Sequence, residues 1–273
     1  MDWQELEVFG AQYRVAGHSD DKSFLNLKED LQSQQTLNAL CAAVLSPASG
    51  VCDIGANLGL SSLVMAKHVP GGRVYAFEPE ELTHACLSAT IAAGGLGHVT
   101  VAQTAIGAVE QEAWLHPGDG FSAGSHIVTN RHISNGVLPT GRVRMTTLDS
   151  FLETAKGGKI DLIKIDTEGF EIDVLAGAKN TLAQSRPVIL LEMNSWCLVA
   201  FRNMNPRVFV DFLLDHFPFV FWVKPSGQLR RIGKGVRMHY FLHEHLVRHA
   251  CVSDLVCCWH TDWLNGFGPG VEA

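Results

Sequence analysis

Two segments of the sequence carry residues whose types and spacing suit the binding of a nucleoside. The segment Asp53-Ile54-Gly55-Ala56-Asn57-Leu58-Gly59 follows a short apolar run, and its glycines permit a tight turn that brings backbone N–H groups close to a ligand. Glu78 lies 19 residues after Gly59. A carboxylate at that place can accept hydrogen bonds from both hydroxyls of a ribose. The two features at this spacing predict a nucleoside site.

The acidic residue in front of the first glycine distinguishes between two kinds of nucleoside ligand. Asp53 would repel a pyrophosphate, whereas S-adenosylmethionine has no phosphate and carries an ammonium and a sulfonium group. The third glycine of the dinucleotide fingerprint is also missing. We therefore expect S-adenosylmethionine as the cofactor. A nicotinamide-dependent oxidoreductase and a non-catalytic nucleoside-binding protein of the same fold are the alternatives.

Four oxygen-bearing side chains follow two further apolar runs: Asp166 and Glu168 after one, Glu192 and Asn194 after the next. Methyl transfer to a hydroxyl requires alignment of the acceptor and removal of its proton, by a base or with the help of a cation. Oxygen ligands suit Mg²⁺, so Asp166, Glu192 and Asn194 form a hypothetical divalent-cation site. Asp166 and Glu168 are also candidate catalytic residues.

A metal-free mechanism is the rival hypothesis, with a histidine from the segment after the third predicted strand as the base. His126 is the first candidate, and His116 and His132 are the others. Glu171 follows the same acidic segment, and we interpret it as a residue that starts a helix, where carboxylates favour the positive end of the dipole.

The elements that must position these residues follow from the alternation of short buried runs with helical stretches. Continuous apolar runs are typical of parallel strands covered by helices on both faces. The runs predicted as strands are 51–54, 73–77, 99–103, 160–165, 187–191, 217–222 and 253–259. We therefore expect an α/β fold with a doubly wound, mostly parallel seven-stranded sheet, in which ligands bind at the carboxyl ends of the strands.

The sequence is expected to form a single domain over residues 1–273. Residues 1–49 are predicted to be an extension with a hairpin and helices that flanks the core, which spans residues 50–260. Residues 112–147 are too long for a simple connection, and their Gly- and Ser-rich middle suggests an inserted lid over the substrate.

Composition limits the partners that the protein is expected to have. A formal net charge of −7 gives no general attraction for nucleic acid or anionic lipid. The longest apolar stretch is far shorter than the roughly 20 residues of a membrane-spanning helix. The amino terminus lacks the features of a secretory signal, and the seven cysteines are an odd number, so we expect a cytoplasmic protein with reduced thiols. A homodimer stays open.

Read in order, several segments resemble the FkbM-type methyltransferase family. The most specific is Asp161-Leu162-Ile163-Lys164-Ile165-Asp166-Thr167-Glu168-Gly169-Phe170-Glu171, and the others are the glycine loop, Phe77-Glu78-Pro79, Ala105-Ile106-Gly107 and Thr147-Leu148-Asp149-Ser150-Phe151. The resemblance covers roughly residues 5 to 260. It implies a class I methyltransferase fold and O-methylation of a hydroxyl on a sugar, glycan or secondary metabolite, so the acceptor is expected to be a small molecule or a glycan.

The resemblance also implies roles for individual residues. Asp53, Gly55, Asn57 and Gly59 would hold the methionine part of the cofactor, with Asp166 at the neighbouring strand end. The remaining cofactor-binding residues, for the ribose and the adenine edge, would be Glu78, Pro79, Gln103, Thr104 and Ala105.

Overall fold

The structure is a computed structural model, and it describes residues 1–116, 118, 120–128 and 141–272. The described strands are β1 (Asp2–Val8), β2 (Ala11–Gly17), β3 (Gly50–Ile54), β4 (Arg73–Phe77), β5 (Val99–Ala102), β6 (Ala105–Ile106), β7 (Gln111–His116), β8 (His126–Val128), β9 (Gly141–Thr146), β10 (Leu162–Ile165), β11 (Val188–Asn194), β12 (Phe219–Val223), β13 (Leu229–Ile232), β14 (Val252–Cys258) and β15 (Val271–Glu272).

The described α-helices are α1 (Lys22–Leu25), α2 (Leu27–Ser33), α3 (Gln35–Val44), α4 (Leu60–His68), α5 (Glu81–Ala93), α6 (Leu148–Thr154), α7 (Glu171–Ala176), α8 (Lys179–Ser185), α9 (Ser195–Arg202), α10 (Pro206–His216) and α11 (Val236–His243). Two short 3₁₀ helices, at Ser122–Gly124 and Asp262–Gly266, and a π-helix at Glu244–Arg248 complete the elements of the described residues. None of the described helices is long and apolar enough to cross a bilayer.

A nine-stranded mixed sheet is the centre of the fold, with the order β15-β13-β12-β14-β11-β10-β3-β4-β5. The strands from β11 to β5 are parallel, and β14 runs antiparallel to both of its neighbours. All seven predicted runs form strands of this sheet, but the prediction of seven strands was wrong. The two additional strands, β13 and β15, extend the far edge. Residues 229–232 contain two arginines, and their pairing depends on a turn, so no buried run indicated a strand there.

The faces of the sheet alternate residue by residue, as the pleat requires. Val51 on β3 and Leu162 on β10 belong to a core shared with α3, α4 and α5, whereas Cys52 and Ile163 belong to a core shared with α6, α7 and α10. Every second residue of a central strand therefore lies on the α4 face. This alternation places polar residues on that face near the strand ends.

The amino-terminal segment is part of the first core and does not simply flank the domain. β1 and β2 pair antiparallel, and Val8 and Val15 are fully buried in the core that contains α4. The backbone N–H of Ala16 also donates to Thr90 Oγ1 on α5, at 2.9 Å.

The segment between β5 and α6 builds a second sheet of four strands, in the order β6-β9-β7-β8, with its own small core around Leu115 and Ile127. Residues 129–140, which include His132, lie outside the described residues.

Candidate functional site

The glycine loop turns sharply between β3 and α4 and packs against the end of β10. Gly55 has φ +81°, and a Cβ there would lie 1.8 Å from the carbonyl oxygen of Asp166. The N–H groups of Gly55 and Ala56 both donate to the carbonyl of Phe77 on β4, at 3.1 and 3.0 Å. Gly59, with φ +98°, is the N-cap of α4. These contacts hold the loop at the carboxyl edge of three neighbouring strands.

Asp53, proposed from sequence as a residue of the cofactor site, lies behind the glycine loop and outside the wall of the cavity described below. Its side chain lies on the α4 face, is 0% exposed, and accepts hydrogen bonds from Ser61 Oγ at 2.7 Å and Ser62 Oγ at 2.6 Å. Both serines are in the first turn of α4, so Asp53 fixes the start of this helix behind the loop. The parity of β3 is the physical reason, because it directs residue 53 into the core while the loop that follows faces the ligand edge.

Lys164 also belongs to the site, although its position in the sequence suggested no role for it. It lies beside Asp53 in the register of β10 and β3, and its Nζ is 3.9 Å from Asp53 Oδ1 and 3.1 Å from Asp166 Oδ2. Burial lowers the pKa of Lys164, but the charges of Asp166 and Asp53 outweigh burial and raise it overall. The lysine is therefore a buried counterion for two carboxylates. The sequence feature that could have indicated this role is the single charged residue in the otherwise apolar strand Leu162–Ile165.

Glu78 ends β4 and accepts two backbone hydrogen bonds, from Asn57 at 3.0 Å and from Glu80 at 2.9 Å. Burial raises the pKa of Glu78 to about 7 in spite of these bonds. An ionised carboxylate has about four acceptor positions, so two are left for a ligand. Asn57 itself has φ +47°, and its side-chain oxygen accepts a hydrogen bond from Ser122 in the inserted segment.

A cavity of about 270 Å³, which we call the donor cavity, opens in front of the glycine loop. Predicted cofactor residues in its wall are Gly55, Asn57, Glu78, Pro79, Thr104, Ala105 and Asp166. Asp53, Gly59 and Gln103 are outside the wall, and Gln103 is exposed on the surface. No lysine or arginine is among the described residues that line the cavity, whereas Glu78, Asp166, Glu168 and Glu192 all do.

Three carboxylates meet at the inner end of this cavity. Oxygens of Asp166, Glu168 and Glu192 lie within 4.8 Å of one another, close enough to share a cation. Burial, followed by the charges of Asp166 and Glu168, raises the pKa of Glu192 well above its ordinary value. We name these three residues the acidic cluster.

The ligand set proposed from sequence, Asp166, Glu192 and Asn194, lines the donor cavity together. Asn194 Nδ2 donates to Glu168 Oε2 at 3.0 Å, and its Oδ1 accepts the N–H of Cys197 at 3.2 Å as the N-cap of α9. Glu168 adds a third carboxylate beside Asp166 and Glu192. The left-handed backbone at Glu168, φ +52°, turns the side chain toward the cluster, which strand periodicity could not predict.

Glu168 is the member of the cluster with a pKa near neutrality. Burial and the charge of Asp166 raise its pKa to about 7, although hydrogen bonds from Cys197 Sγ and Asn194 to Oε2 favour the ionised form. Glu171 begins α7, and its carboxylate also accepts hydrogen bonds from the N–H groups of Thr167 and Gly169. It holds the turn on which Glu168 is placed.

The predicted histidine bases differ in position. His126 lines the donor cavity, with its ring stacked on Phe201 at 3.5 Å and on His116 at 4.8 Å between centroids. Burial is the main cause that lowers the pKa of His126 to about 4. His126 Nε2 is buried and has no hydrogen-bond partner in the described structure.

A second cavity of about 550 Å³, which we call the outer cavity, lies on the α4 face of the sheet. Asp166 and Glu192 are in the walls of both cavities, and Asp254 and Lys164 line the outer one without lining the donor cavity. The junction of α2 and α3 covers one side with Gln32, Ser33, Gln34, Gln35 and Thr36. The acidic cluster therefore stands between two cavities.

Comparison with protein families matches residues 53–214 to the Methyltransferase FkbM domain. AMB antimetabolite synthetase AmbE of Pseudomonas aeruginosa is 29% identical over 226 residues, which are 69% of this chain and 10% of that protein. The 2-O-methyltransferase NoeI of Sinorhizobium fredii is 27% identical over 171 residues, which are 59% of this chain and 70% of that protein. This chain thus spans a small part of AmbE and about two thirds of NoeI.

Solved structures with a similar chain trace have low sequence identity. The methyltransferase FkbM from Methylobacillus flagellatus aligns with a TM-score of 0.46 at 15% identity, over 78% of this chain and 44% of that one. The O-methyltransferase TomG from Streptomyces achromogenes has a TM-score of 0.46 at 14% identity, over 90% of this chain and 92% of that one.

Proposed function

The chain belongs to the methyltransferase FkbM domain family, and on that premise we propose that it transfers a methyl group from S-adenosylmethionine to a hydroxyl oxygen. The acceptor would be a sugar, a glycan or a secondary metabolite. One observation carries the proposal: the glycine loop, Glu78 and the acidic cluster open into one cavity. NoeI is by its name a 2-O-methyltransferase, and this similarity supports oxygen as the methylated atom.

The donor cavity fits S-adenosylmethionine better than a nicotinamide dinucleotide. Glu78 keeps acceptor positions for the ribose hydroxyls, and Thr104 and Ala105 would meet the adenine edge. The carboxylates of the described wall attract the ammonium and sulfonium groups of the donor, and the same wall offers a pyrophosphate no basic side chain.

S-adenosylmethionine, held by Glu78, Thr104 and Ala105, would supply an electrophilic methyl group for transfer to the acceptor oxygen, with S-adenosylhomocysteine as the leaving product. The protein must hold the acceptor oxygen in line and take its proton. We assign the proton to Glu168, because a base is most effective when its pKa lies near the working pH. His126, with a pKa of about 4, is a weaker base and serves as a wall of the cavity.

A divalent cation held by the acidic cluster is the second way to activate the hydroxyl, and the convergence of three carboxylates favours it. Turnover before and after thorough chelation separates the two mechanisms. Activity that survives chelation and does not rise with Mg²⁺ supports Glu168 as a base. Activity that is lost and then restored by Mg²⁺ supports a cation bound by Asp166, Glu168 and Glu192. A His126→Asn variant that loses turnover would instead favour the histidine.

Calorimetric titration with S-adenosylhomocysteine tests the donor site without a known acceptor. We expect binding to the wild type and a loss of about tenfold to a hundredfold for Glu78→Ala, the range for hydrogen bonds to a charged group. Glu81→Ala, an exposed carboxylate in the first turn of α5, is the matched control and should bind normally. Absence of binding to the wild type, or binding of NAD, would contradict the proposal.

The inserted segment, residues 112–147, is proposed to be a lid that covers the donor side of the substrate site. Support comes from the described part of the segment, since Phe121, Ser122 and His126 line the donor cavity. We also propose that the protein works without nucleic acid or membrane as a partner, and that it is cytoplasmic. The mass of the protein in solution would distinguish a homodimer from a monomer.

A further inference from the structure

Two carboxylates in the outer cavity face each other across neighbouring strands. Glu192 on β11 and Asp254 on β14 are register partners in an antiparallel pair, and both line the outer cavity. Side chains at directly opposite positions are about 4.5–5.5 Å apart at Cβ, and like charges there destabilise a sheet. An ionised pair of this kind is costly unless a positive charge lies beside it or one of the two carboxyl groups takes up a proton.

Lys164 supplies part of that charge: burial and the charge of Asp166 raise the pKa of Asp254 to about 6, and the charge of Lys164 lowers it. Neither Glu192 nor Asp254 accepts a hydrogen bond or forms an ion pair within residues 1–116, 118, 120–128 and 141–272. Lys164 forms its own ion pairs with Asp166 and Asp53, so one ammonium group serves four carboxylates. Lys224, the other lysine of the wall, pairs with Glu272 at 2.9 Å. The two carboxylates therefore point into the cavity with unused acceptor positions.

The two carboxylates of the pair differ in the cavities that they line. Glu192 lines both cavities, whereas Asp254 lines the outer cavity alone. A molecule in the outer cavity would reach the donor at the acidic cluster and keep its opposite part near Asp254. The rest of the wall is neutral and polar where α2 joins α3, with amides and hydroxyls from Gln32 to Thr36.

We propose that the outer cavity is the acceptor site and that Glu192 and Asp254 bind a protonated amine of the acceptor, so that the substrate is a hydroxylated amine methylated on oxygen. This inference rests on the proposed methyltransferase function. Three donor N–H groups of an ammonium can satisfy two facing carboxylates at once. The amine lies on the outer side of the acidic cluster, between Glu192 and Asp254, and the hydroxyl is presented to Glu168.

The test compares matched pairs of acceptors that differ only in the charge of one group. We would saturate the protein with S-adenosylhomocysteine and titrate it with glucosamine against N-acetylglucosamine, 3-amino-1,2-propanediol against glycerol, and serine methyl ester against its N-acetyl derivative. At least one amine should bind about tenfold or more tightly than its neutral partner, as expected for a charge-assisted hydrogen bond. In Asp254→Asn this preference should disappear.

Controls separate this inference from the function on which it rests. Asp215→Asn removes an exposed carboxylate on α10 and should keep the preference for amines. S-adenosylhomocysteine binding is measured first on each variant. If S-adenosylhomocysteine does not bind to the wild type, the proposed function fails. If it binds but both members of every pair bind equally or not at all, the amine site alone is refuted.

Two further outcomes would also overturn the amine site. One is binding of Mg²⁺ alone that is lost in Asp254→Asn, because the carboxylate pair would then be a metal site. The other is a product methylated on nitrogen, identified by mass spectrometry of a preferred amine, because the amine would then lie at the donor and not at Asp254.

Discussion

Replacing Glu168 by glutamine is expected to remove catalysis and, above neutral pH, to stabilise the protein. The variant keeps the size of the side chain and an oxygen for the hydrogen bonds from Asn194 and Cys197. It removes the group that we propose as the base, for which losses of about 10²- to 10⁴-fold in turnover are typical. It also removes a negative charge that is buried beside Asp166.

The size of the stability effect follows from the raised pKa. The carboxyl group has an ordinary pKa of 4.5 when unfolded and a pKa of about 7 when folded, so folding favours its protonated form. The contribution to stability is complete below pH 4.5 and is lost as the pH rises to 7. The loss is about 3 kcal/mol at most, and solvent in the cavity reduces it to about 1–2 kcal/mol. For a domain of this size, that range is about 2–8 °C in Tm.

Thermal unfolding of both proteins from pH 5 to pH 8 measures the effect. The Tm of Glu168→Gln should exceed that of the wild type at pH 8, and the two values should converge at pH 5. Glu112→Gln, in an exposed ion pair with Arg142, is the control and should follow the wild type. If the Tm of the variant changes with pH as that of the wild type does, or is lower than the wild-type Tm at pH 8, the reasoning is refuted. Burial and the charge of Asp166 would then not raise the pKa of Glu168.

Two further substitutions test the framework of the site. Gly55→Ala should abolish S-adenosylhomocysteine binding and lower the Tm strongly, because the new methyl group would overlap the backbone carbonyl of Asp166. Gly95→Ala is the control, since Gly95 also has a positive φ but lies in open space. This variant should bind S-adenosylhomocysteine normally, and the difference between the two variants measures the cost of the clash. Lys164→Met should destabilise the fold by about 3–5 kcal/mol in urea unfolding, since it leaves Asp53 buried without its counterion, and a loss below about 1 kcal/mol would contradict that role.

Local sequence patterns were sufficient for the parts of the site that lie on one strand and the turn after it. The apolar run before Gly55 and the one before Glu78 predicted β3 and β4, and the carboxyl-edge rule then placed the loop and the acid together. Asp166 and Glu192 were expected at the same edge for the same reason. Asp166 follows β10 and Glu192 lies near the end of β11, and their carboxylate oxygens are within 4.8 Å of each other. Such predictions succeed because a parallel sheet fixes the relation between strand end and ligand edge.

Features that depend on more than one strand were decided by the tertiary structure. β13 forms through its pairing with β12 on one side and β15 on the other, and its own residues, Leu229–Ile232, show no buried run. The presence of Glu168 in the acidic cluster depends on the left-handed backbone at this residue, and the cap of α9 sets the position of Asn194 beside it. Neither is encoded in the periodicity of a single segment.

The sequence by itself determined the α/β class, the glycine loop, the acid that follows the second strand of the core and the resemblance to a methyltransferase family, because each is a local pattern of residue types. Only the tertiary structure decided which charges face each other. It buried Asp53 on the α4 face beside Lys164, and it placed Glu192 opposite Asp254 in a cavity. Charges act through space, and the distances between strands that are remote in sequence exist only after the sheet has formed.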